Sequence, residues 1–515
     1  MIEHDADVLV LGGGPAGAWA ALAAVAAGAR VVLADKGYCG TSGPTASGGN
    51  NLWYVPPRAA EREREVGARF EQSARLADRR WMARVLDETY RRVDDLASFG
   101  YPFPVHDGVE RRGSLQGPEY MKRMRRRVHR SGVLILDHHP ALRLLTDSSG
   151  IVAGASGIAR QLDGAPWTVR AGAVVLATGG CAFLSGAFGT NVDTGDGHLM
   201  AAELGAELSG MEFSSVYGLS PAHGAHTKGL MMQFATYYAE DGTRIEVPDP
   251  LWARAQIAER LAAGRKVFAR LDRAPADLRQ AMRDAQPNYF LPLDKAGIDP
   301  FRDTYEVRMV LEGTVRGTGG LRIVGDDCAT TVPGLYAAGD VATRELVSGA
   351  VTGGGAYNGA WAISSGTWAG RGAARFGLGR DRTRTRPAGR AGLTPGSLDA
   401  AQVVRAVQDE ILPLDRNLFR TRDGLRASLA SLDALWERVT SEGIAGTGRE
   451  RLRARSAAAM AAHARWCYRA ALAREESRGM HRLDGLPTLR RFEHRLLVGG
   501  LDEPWTSTEP QEAAA

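Results

Sequence analysis

Cysteine is scarce in this chain and never closely spaced. Cys39, Cys181, Cys328 and Cys467 form no CxxC pair, which argues against a zinc site or an iron–sulfur ligand set within these 515 residues and fits a reducing compartment. An excess of one charge is missing too: 64 Lys and Arg face 59 Asp and Glu, and a net charge of +5 gives nucleic-acid binding little support. The two densest basic runs, MKRMRRRVHR (Met121 to Arg130) and GRDRTRTRPAGR (Gly379 to Arg390), read as a solvated helix face and a linker. Long apolar runs are absent as well. The opening MIEHDADVLVLGGG is broken by glycine before it could span a membrane and has no basic n-region, so a cytoplasmic protein without a transmembrane segment is the expectation. No repeat of solenoid period is visible. What remains is an ordinary globular composition, 44% hydrophobic and 24% charged, on a chain long enough for two or three domains.

The first informative stretch is VLVLGGGPAGAWAALAAVAAGARVVLADKG, Val8 to Gly37. An aliphatic run, a glycine turn, an alanine-rich segment and a second aliphatic run ending at Asp35 spell strand, turn, helix, strand. Gly12, Gly14 and Gly17 make GxGxxG. The first permits the tight turn, the second lets the backbone approach a pyrophosphate, and the third allows close helix–strand packing. Pro15 and Ala16 open the helix, whose N-terminus favours negative charge. Asp35 ends the next strand, where a carboxylate can accept ribose hydroxyls, and Lys36 follows it.

This unit alone leaves NAD and FAD open. Two distant segments favour FAD, because a larger ligand demands contacts from more of the chain: AVVLATGG (Ala173 to Gly180, with Ala177, Thr178 and Gly179) and VPGLYAAGD (Val332 to Asp340, with Gly339). They resemble the ATG turn and GD motif of glutathione-reductase-like flavoproteins. Ala141, in the aliphatic run ALRLLTD, joins the expected cofactor contacts.

TGDGHLMAAELGAELSGMEF, Thr194 to Phe213 and including Asp196, is similar to the TGDG…MEF signature of the fumarate reductase and succinate dehydrogenase flavoprotein family, which includes L-aspartate oxidase and adenylylsulfate reductase. REESRGMHRLDGLP (Arg474 to Pro487) resembles the family's ESRG element, with Leu483 where Arg is frequent. These motifs stand in the family's order over nearly the whole chain. The resemblance implies an α/β fold: a Rossmann FAD-binding domain interrupted by an α+β capping domain and followed by helices. Composition breaks place the FAD domain at 1–213 and 321–378, the cap at 214–320, a linker at 379–397 and the helical domain at 398–515. It further implies hydride transfer between flavin N5 and a saturated carbon, with an arginine moving the proton.

The departures from the family are as informative. Where relatives tether FAD through a histidine, this chain has Ser42 in TSGPTASGGNN, so FAD is expected to be non-covalent, with Thr41, Ser42, Ser47, Gly48 and Gly49 as candidate neighbours. The family's dicarboxylate readers are replaced by Tyr217, Gln233–Phe234, Val315 and the Gly or Thr of SGAVTGGGAYN. Fixing two carboxylates takes several charge-assisted bonds, so succinate, fumarate and aspartate are not expected as substrates. LWARAQIAERL places Arg254 at the position of the proton-delivering arginine. Tyr217 and Arg316 lie in substrate-contact segments and join it as catalytic candidates; His223, His226, Tyr238, Arg344 and Glu345 are further polar candidates. Tyr357 and Asn358 sit in the loop expected to pass the isoalloxazine. The expectation is an FAD-dependent dehydrogenase or reductase whose electrons go to a separate ferredoxin-like protein or to oxygen. A flavin monooxygenase and a non-catalytic flavoprotein subunit are the alternatives.

Overall fold

The computed structural model describes residues 2–106, 108–227, 229–247, 254–381 and 384–509. Its first strand, β1 (Ile2–Leu11), is buried from Ala6 onward, and its aliphatic run needs cover on both faces. Helix α1 (Pro15–Ala26) covers one face, and β2 (Val31–Ala34) pairs with β1 in parallel, Leu11 opposite Ala34. On the other side of β1 runs the strand Ala165–Leu176, also parallel, with Leu11 opposite Leu176. Its last residues pair in parallel with Leu335–Ala337. Four strands from three distant parts of the chain therefore end side by side at one sheet edge. The segments that follow them, Gly12, Asp35, Ala177 and Gly339, are thereby brought together, at the carboxyl ends where open α/β sheets bind ligands.

The helix Gly354–Gly377 lies against α1 at a distance only glycine allows. A Cβ on Gly366 would stand 2.3 Å from the carbonyl oxygen of Ala16, and one on Gly370 2.1 Å from that of Ala20. The antiparallel strands Ala141–Thr146 and Val152–Ala159 extend the sheet on its far side.

Residues 217–311 contribute a second, five-stranded antiparallel sheet, with Tyr305–Leu311 between Tyr217–Pro221 and Val267–Arg270. It has a hydrophobic cluster of its own, including Tyr237, Val267, Tyr289, Phe290, Leu293 and Tyr305. The C-terminal part is helical, chiefly Ala400–Ile411, Arg422–Ser441 and Glu450–Ala473. The last of these runs through the main core, burying Trp466, Cys467 and Tyr468 completely.

Two buried polar networks fasten this helical part to the rest. Arg474 Nε donates to Glu212 Oε1 at 2.7 Å and Nη1 to Glu476 Oε1 at 3.2 Å, while Arg478 Nε reaches Glu476 Oε1 at 2.6 Å. The MEF and ESRG segments are thus two halves of one ion network. In the second, His198 of the TGDGH segment packs edge-to-face on His463 of the C-terminal helix, ring centroids 4.8 Å apart. Among the described residues no helix is long and apolar enough to cross a membrane.

Removing one partner of a buried ion network strands the other charge. Arg474→Ala, which abandons both Glu212 and Glu476, is expected to cost about 3–5 kcal/mol, read as a lowered denaturation midpoint. Burial also holds the His198 imidazole down to about 4 from the ordinary 6.5, and pushes His463 and His481 well below that value. Below pH 6.5 the unfolded chain then binds more protons than the folded one. Stability is expected to fall as pH drops from 6.5 toward 4, and His198→Phe to flatten that slope by up to about 1.4 kcal/mol per pH unit.

Candidate functional site

A cleft of about 520 Å³ opens at the shared strand edge, within the usual size range of small-molecule sites. One wall is the sheet edge and α1; the opposite wall includes Gln286, Glu312 and Arg316 from the segment carrying the second sheet.

The glycine turn is built by exclusion. Gly12 has φ +108°, and a Cβ there would stand 2.2 Å from the carbonyl oxygen of Ala177. A Cβ on Gly17 would stand 1.8 Å from the Gly12 carbonyl oxygen, so both positions are closed to any side chain. Gly14 is different, with nothing within 4 Å of its Cβ position. That space lies at the N-terminus of α1, where Gly14 is the cap and Pro15 the first residue. Unsatisfied N–H groups and the helix dipole there suit a pyrophosphate. Asp35, 3% exposed, accepts from the Gly13 N–H at 2.5 Å and from the Gly37 N–H and Ser42 Oγ at 2.7 Å each. The turn after β1 and the acid after β2 are therefore locked to each other.

Lys36 turns toward the TGDG segment. Its Nζ donates to Thr194 Oγ1 and Asp196 Oδ2 at 2.7 Å each, and Ser456 Oγ of the C-terminal helix donates to Asp196 Oδ1 at 3.0 Å. Burial alone would raise the Asp196 carboxyl, but the Lys36 charge and these hydrogen bonds bring it below the usual range. Among the described residues, nearby Asp193 has no such cation at bonding distance, and burial pushes its carboxyl well up. Among the described residues, Asp193 Oδ2 and Thr178 Oγ1, both of residues on the cleft wall, are buried with no hydrogen-bond partner. Orphaned polar atoms in a cleft of this shape fit a bound dinucleotide.

At the other end, Asp340 is ion-paired to Arg344, which is 1% exposed and also donates to the carbonyls of Thr314, Val315 and Gly317. Arg316, on the turn so held, faces the cleft with its Nε 3.5 Å from Glu312 Oε2, while Thr227 Oγ1 donates to Glu312 Oε1 at 2.5 Å. Asn358 also lines the cleft.

Of the residues singled out in the sequence, Gly12, Gly14, Pro15, Ala16, Asp35, Lys36, Ser42, Gly49, Ala141, Ala177, Thr178, Gly179, Asp196, Gly339, Asp340, Asn358 and Arg316 line this one cleft. Gly17 and Thr194 stand just behind its wall. Thr41 belongs to a separate basic hollow beside the helix Gly117–Arg130. Ser47 and Gly48 stay off the cleft wall: Ser47 Oγ bonds to the Gly43 carbonyl, and the Gly48 carbonyl accepts from the Asn50 side chain. Tyr357 is off the cleft lining, its ring tilted against Trp53 and under the Arg69 guanidinium.

Tyr217 departs from expectation. Its hydroxyl lies 3.0–3.4 Å from the carbonyls of Ile411, Leu412 and Pro413, the Leu412 carbonyl nearest, and so gives its one proton to the end of the helix Ala400–Ile411. Tyr238 is spent on Asp272 and Arg270, Glu345 is sealed in the core against Ser209, His223 is exposed, and His226 meets Gln286. Arg254 begins the helix Arg254–Ala262, but its side chain lies outside the described residues. Asp193 and Glu312 escape a reading of the sequence, although Glu312 directly precedes the GTVRGTGG turn.

With this geometry in place, comparison with known proteins is informative. The sequence model of the FAD binding domain matches residues 7–357, and that of the fumarate reductase flavoprotein C-terminal region matches residues 409–498. L-aspartate oxidase of Streptomyces coelicolor is 27% identical over 372 residues, 65% of this chain, and the match spans 63% of that relative's length. E. coli quinol fumarate reductase superposes with a TM-score of 0.80 at 20% identity, over 100% of this chain and 99% of the other. Adenylylsulfate reductase of Archaeoglobus fulgidus gives 0.79 at 18% identity, over 99% and 96%.

The three glycines of the turn are expected to separate by substitution. Gly12→Ala and Gly17→Ala force backbone apart and lower the melting temperature, whereas Gly14→Ala melts like the parent in the absence of FAD yet binds FAD more weakly. Thermal denaturation together with FAD titration checks this.

Proposed function

The chain belongs to the FAD-binding flavoprotein family of fumarate reductase and succinate dehydrogenase; on that premise we propose that it is an FAD-dependent oxidoreductase of that type whose substrate is an organic molecule other than a C4 dicarboxylate. The observation carrying this reading is the charge at the far end of the cleft. Arg316 is balanced there by Glu312 at 3.5 Å, a net-neutral pair that offers a dianion no net attraction. Two carboxylates would need several cations.

In this reading the N-terminus of α1 and Gly14 hold the pyrophosphate, and Asp35 takes the ribose hydroxyls. Thr178, Asp193 and Asp340 meet the chain that leads toward Asn358 and Arg316. When bound, FAD supplies hydride acceptance or donation. The protein orients the substrate: Arg316 offers hydrogen-bond donors to an oxygen of it, and Glu312 fixes the guanidinium from behind. Arg344, gripping the Thr314–Gly317 carbonyls, keeps that turn in place. Tyr217 is here a positioning group between strand and helix end. Arg254 is retained as proton donor on the family resemblance. FAD is held without a covalent bond, since Ser42 cannot replace a tethering imidazole. Electrons leave to, or arrive from, a separate ferredoxin-like carrier, or pass to oxygen.

Anaerobic purification, acid precipitation and flavin bleaching test the proposal. FAD is expected in the acid supernatant, and bleaching with a neutral or singly charged substrate but not with succinate or L-aspartate. Bleaching by succinate at a comparable rate contradicts it. Arg316→Ala is expected to lower kcat/KM for the bleaching substrate by about 10–100-fold, the worth of one charged hydrogen bond, with FAD content unchanged. Arg254→Ala and Arg254→Lys should abolish turnover at normal FAD content.

A further inference from the structure

The basic face of MKRMRRRVHR borders a hollow of about 580 Å³ that is separate from the cofactor cleft. One wall is the helix Gly117–Arg130, followed from Pro118 to its last residue, about 18 Å at 1.5 Å per residue. The other is the loop from Tyr38 to Thr41, with Ala46. The two walls close at the floor. A Cβ on Gly40 would stand 3.1 Å from the Met121 carbonyl oxygen, and Arg125 Nη1 donates to the Cys39 carbonyl at 2.9 Å. Lys122, Arg125, Arg126, His129 and Arg130 line the hollow, and among the described residues no carboxylate does. Lys122, Arg126 and Arg130 recur every fourth residue, so they form one row, neighbours about 6 Å apart along the axis. All three are exposed, and Tyr38 across from them is 42% exposed, so the hollow is open to an incoming ligand.

The charge of the row is not balanced by the protein. Arg125 is neutralised by two hydrogen bonds to Asp137, at 2.7 and 2.9 Å. Lys122 has only Glu119, at 3.8 Å and shared with Arg123, and among the described residues Arg126 and Arg130 meet no carboxylate. The helix C-terminus supplies about half a unit of negative charge, felt over its last turn. That is too little for Arg126, Arg127 and Arg130 together. Guanidinium groups match phosphate oxygens in a two-bond geometry. A lone anion satisfies one cation of the row, whereas a chain of phosphates engages two or three at once. We propose that this hollow binds a linear oligophosphate lying along Lys122, Arg126 and Arg130. Thr41 lines the hollow and the next residue, Ser42, lines the cleft, so the two sites stand back to back on one loop and are filled independently. Binding here does not depend on the redox reaction proposed above.

The test titrates inorganic triphosphate into the FAD-loaded protein by calorimetry, with orthophosphate, ATP and polyglutamate as comparison ligands. FAD in place keeps these ligands out of the cleft. Triphosphate is expected to bind one to one, and orthophosphate at least about tenfold more weakly. Arg126→Gln and Arg130→Gln, both at exposed positions, should each weaken triphosphate about tenfold, one charged hydrogen bond's worth, with melting temperature and FAD content unchanged. Arg127→Gln removes the same charge from the same helix but outside the hollow, where Arg127 lies over the Phe99 ring, and should leave the affinity as it was. ATP binding at least as tightly as triphosphate identifies a nucleotide as the ligand, and weaker binding an inorganic chain; either supports the site. A parent protein that triphosphate does not bind overturns the proposal. So does orthophosphate binding as tightly, which shows an adventitious ion only, or an Arg127→Gln loss equal to that of Arg126→Gln, which shows general charge attraction. Polyglutamate bound in preference to triphosphate also overturns it, in favour of an acidic protein partner.

Discussion

Everything at the cleft depends on how closely the backbone at Gly12 approaches the carbonyl of Ala177. Those 2.2 Å, measured to where a Cβ would be, are possible only because β1 and Ala165–Leu176 run parallel and in register to their last residues. Once the two strands end together, β2 and Leu335–Ala337 bring Asp35 and Asp340 to the same edge. Gly17 against the Gly12 carbonyl, and Gly366 and Gly370 against α1, repeat the principle one layer out. Small residues here bring main chain up to main chain, while the room above Gly14 stays open.

The helical C-terminal part is a clamp on this edge as well as an appended layer. Ser456 reaches the Lys36–Asp196 pair, His463 packs on His198, and Arg474 joins Glu212 to Glu476. Each tie joins a cofactor-side motif to a residue more than 200 positions later, so folding of the C-terminal helices and order at the cleft are coupled.

The fold was legible in the sequence where chemistry is local. GxGxxG followed by a strand ending in Asp35 has one good structural solution, and the tight-turn and close-packing roles read for Gly12 and Gly17 match positions where the backbone leaves no room for a side chain. TGDG, AAGD and ESRG were legible as signatures, though not as partners in shared ion networks. Side-chain direction was less so. Tyr217 follows MEF as a substrate contact would, but a motif position does not say which face of a strand a side chain takes, and its hydroxyl goes to a helix end. Thr41, Ser47 and Gly48 belong to the same loop as Ser42 and Gly49 but do not line the cleft. Asp193 and Glu312 carry no sequence signal, because their significance lies in partners, or the lack of them, that only long-range packing reveals.

The central claim is that one FAD lies along the strand edge with its reactive end at the neutral Arg316–Glu312 pair. A crystal structure of the FAD-bound protein tests it most directly. The account predicts pyrophosphate at the N-terminus of α1, ribose hydroxyls on Asp35, the isoalloxazine beside Asn358 and Arg316, and no bond from the flavin to Ser42. An isoalloxazine at the Asp35 end, or a flavin covalently joined to the chain, would contradict it.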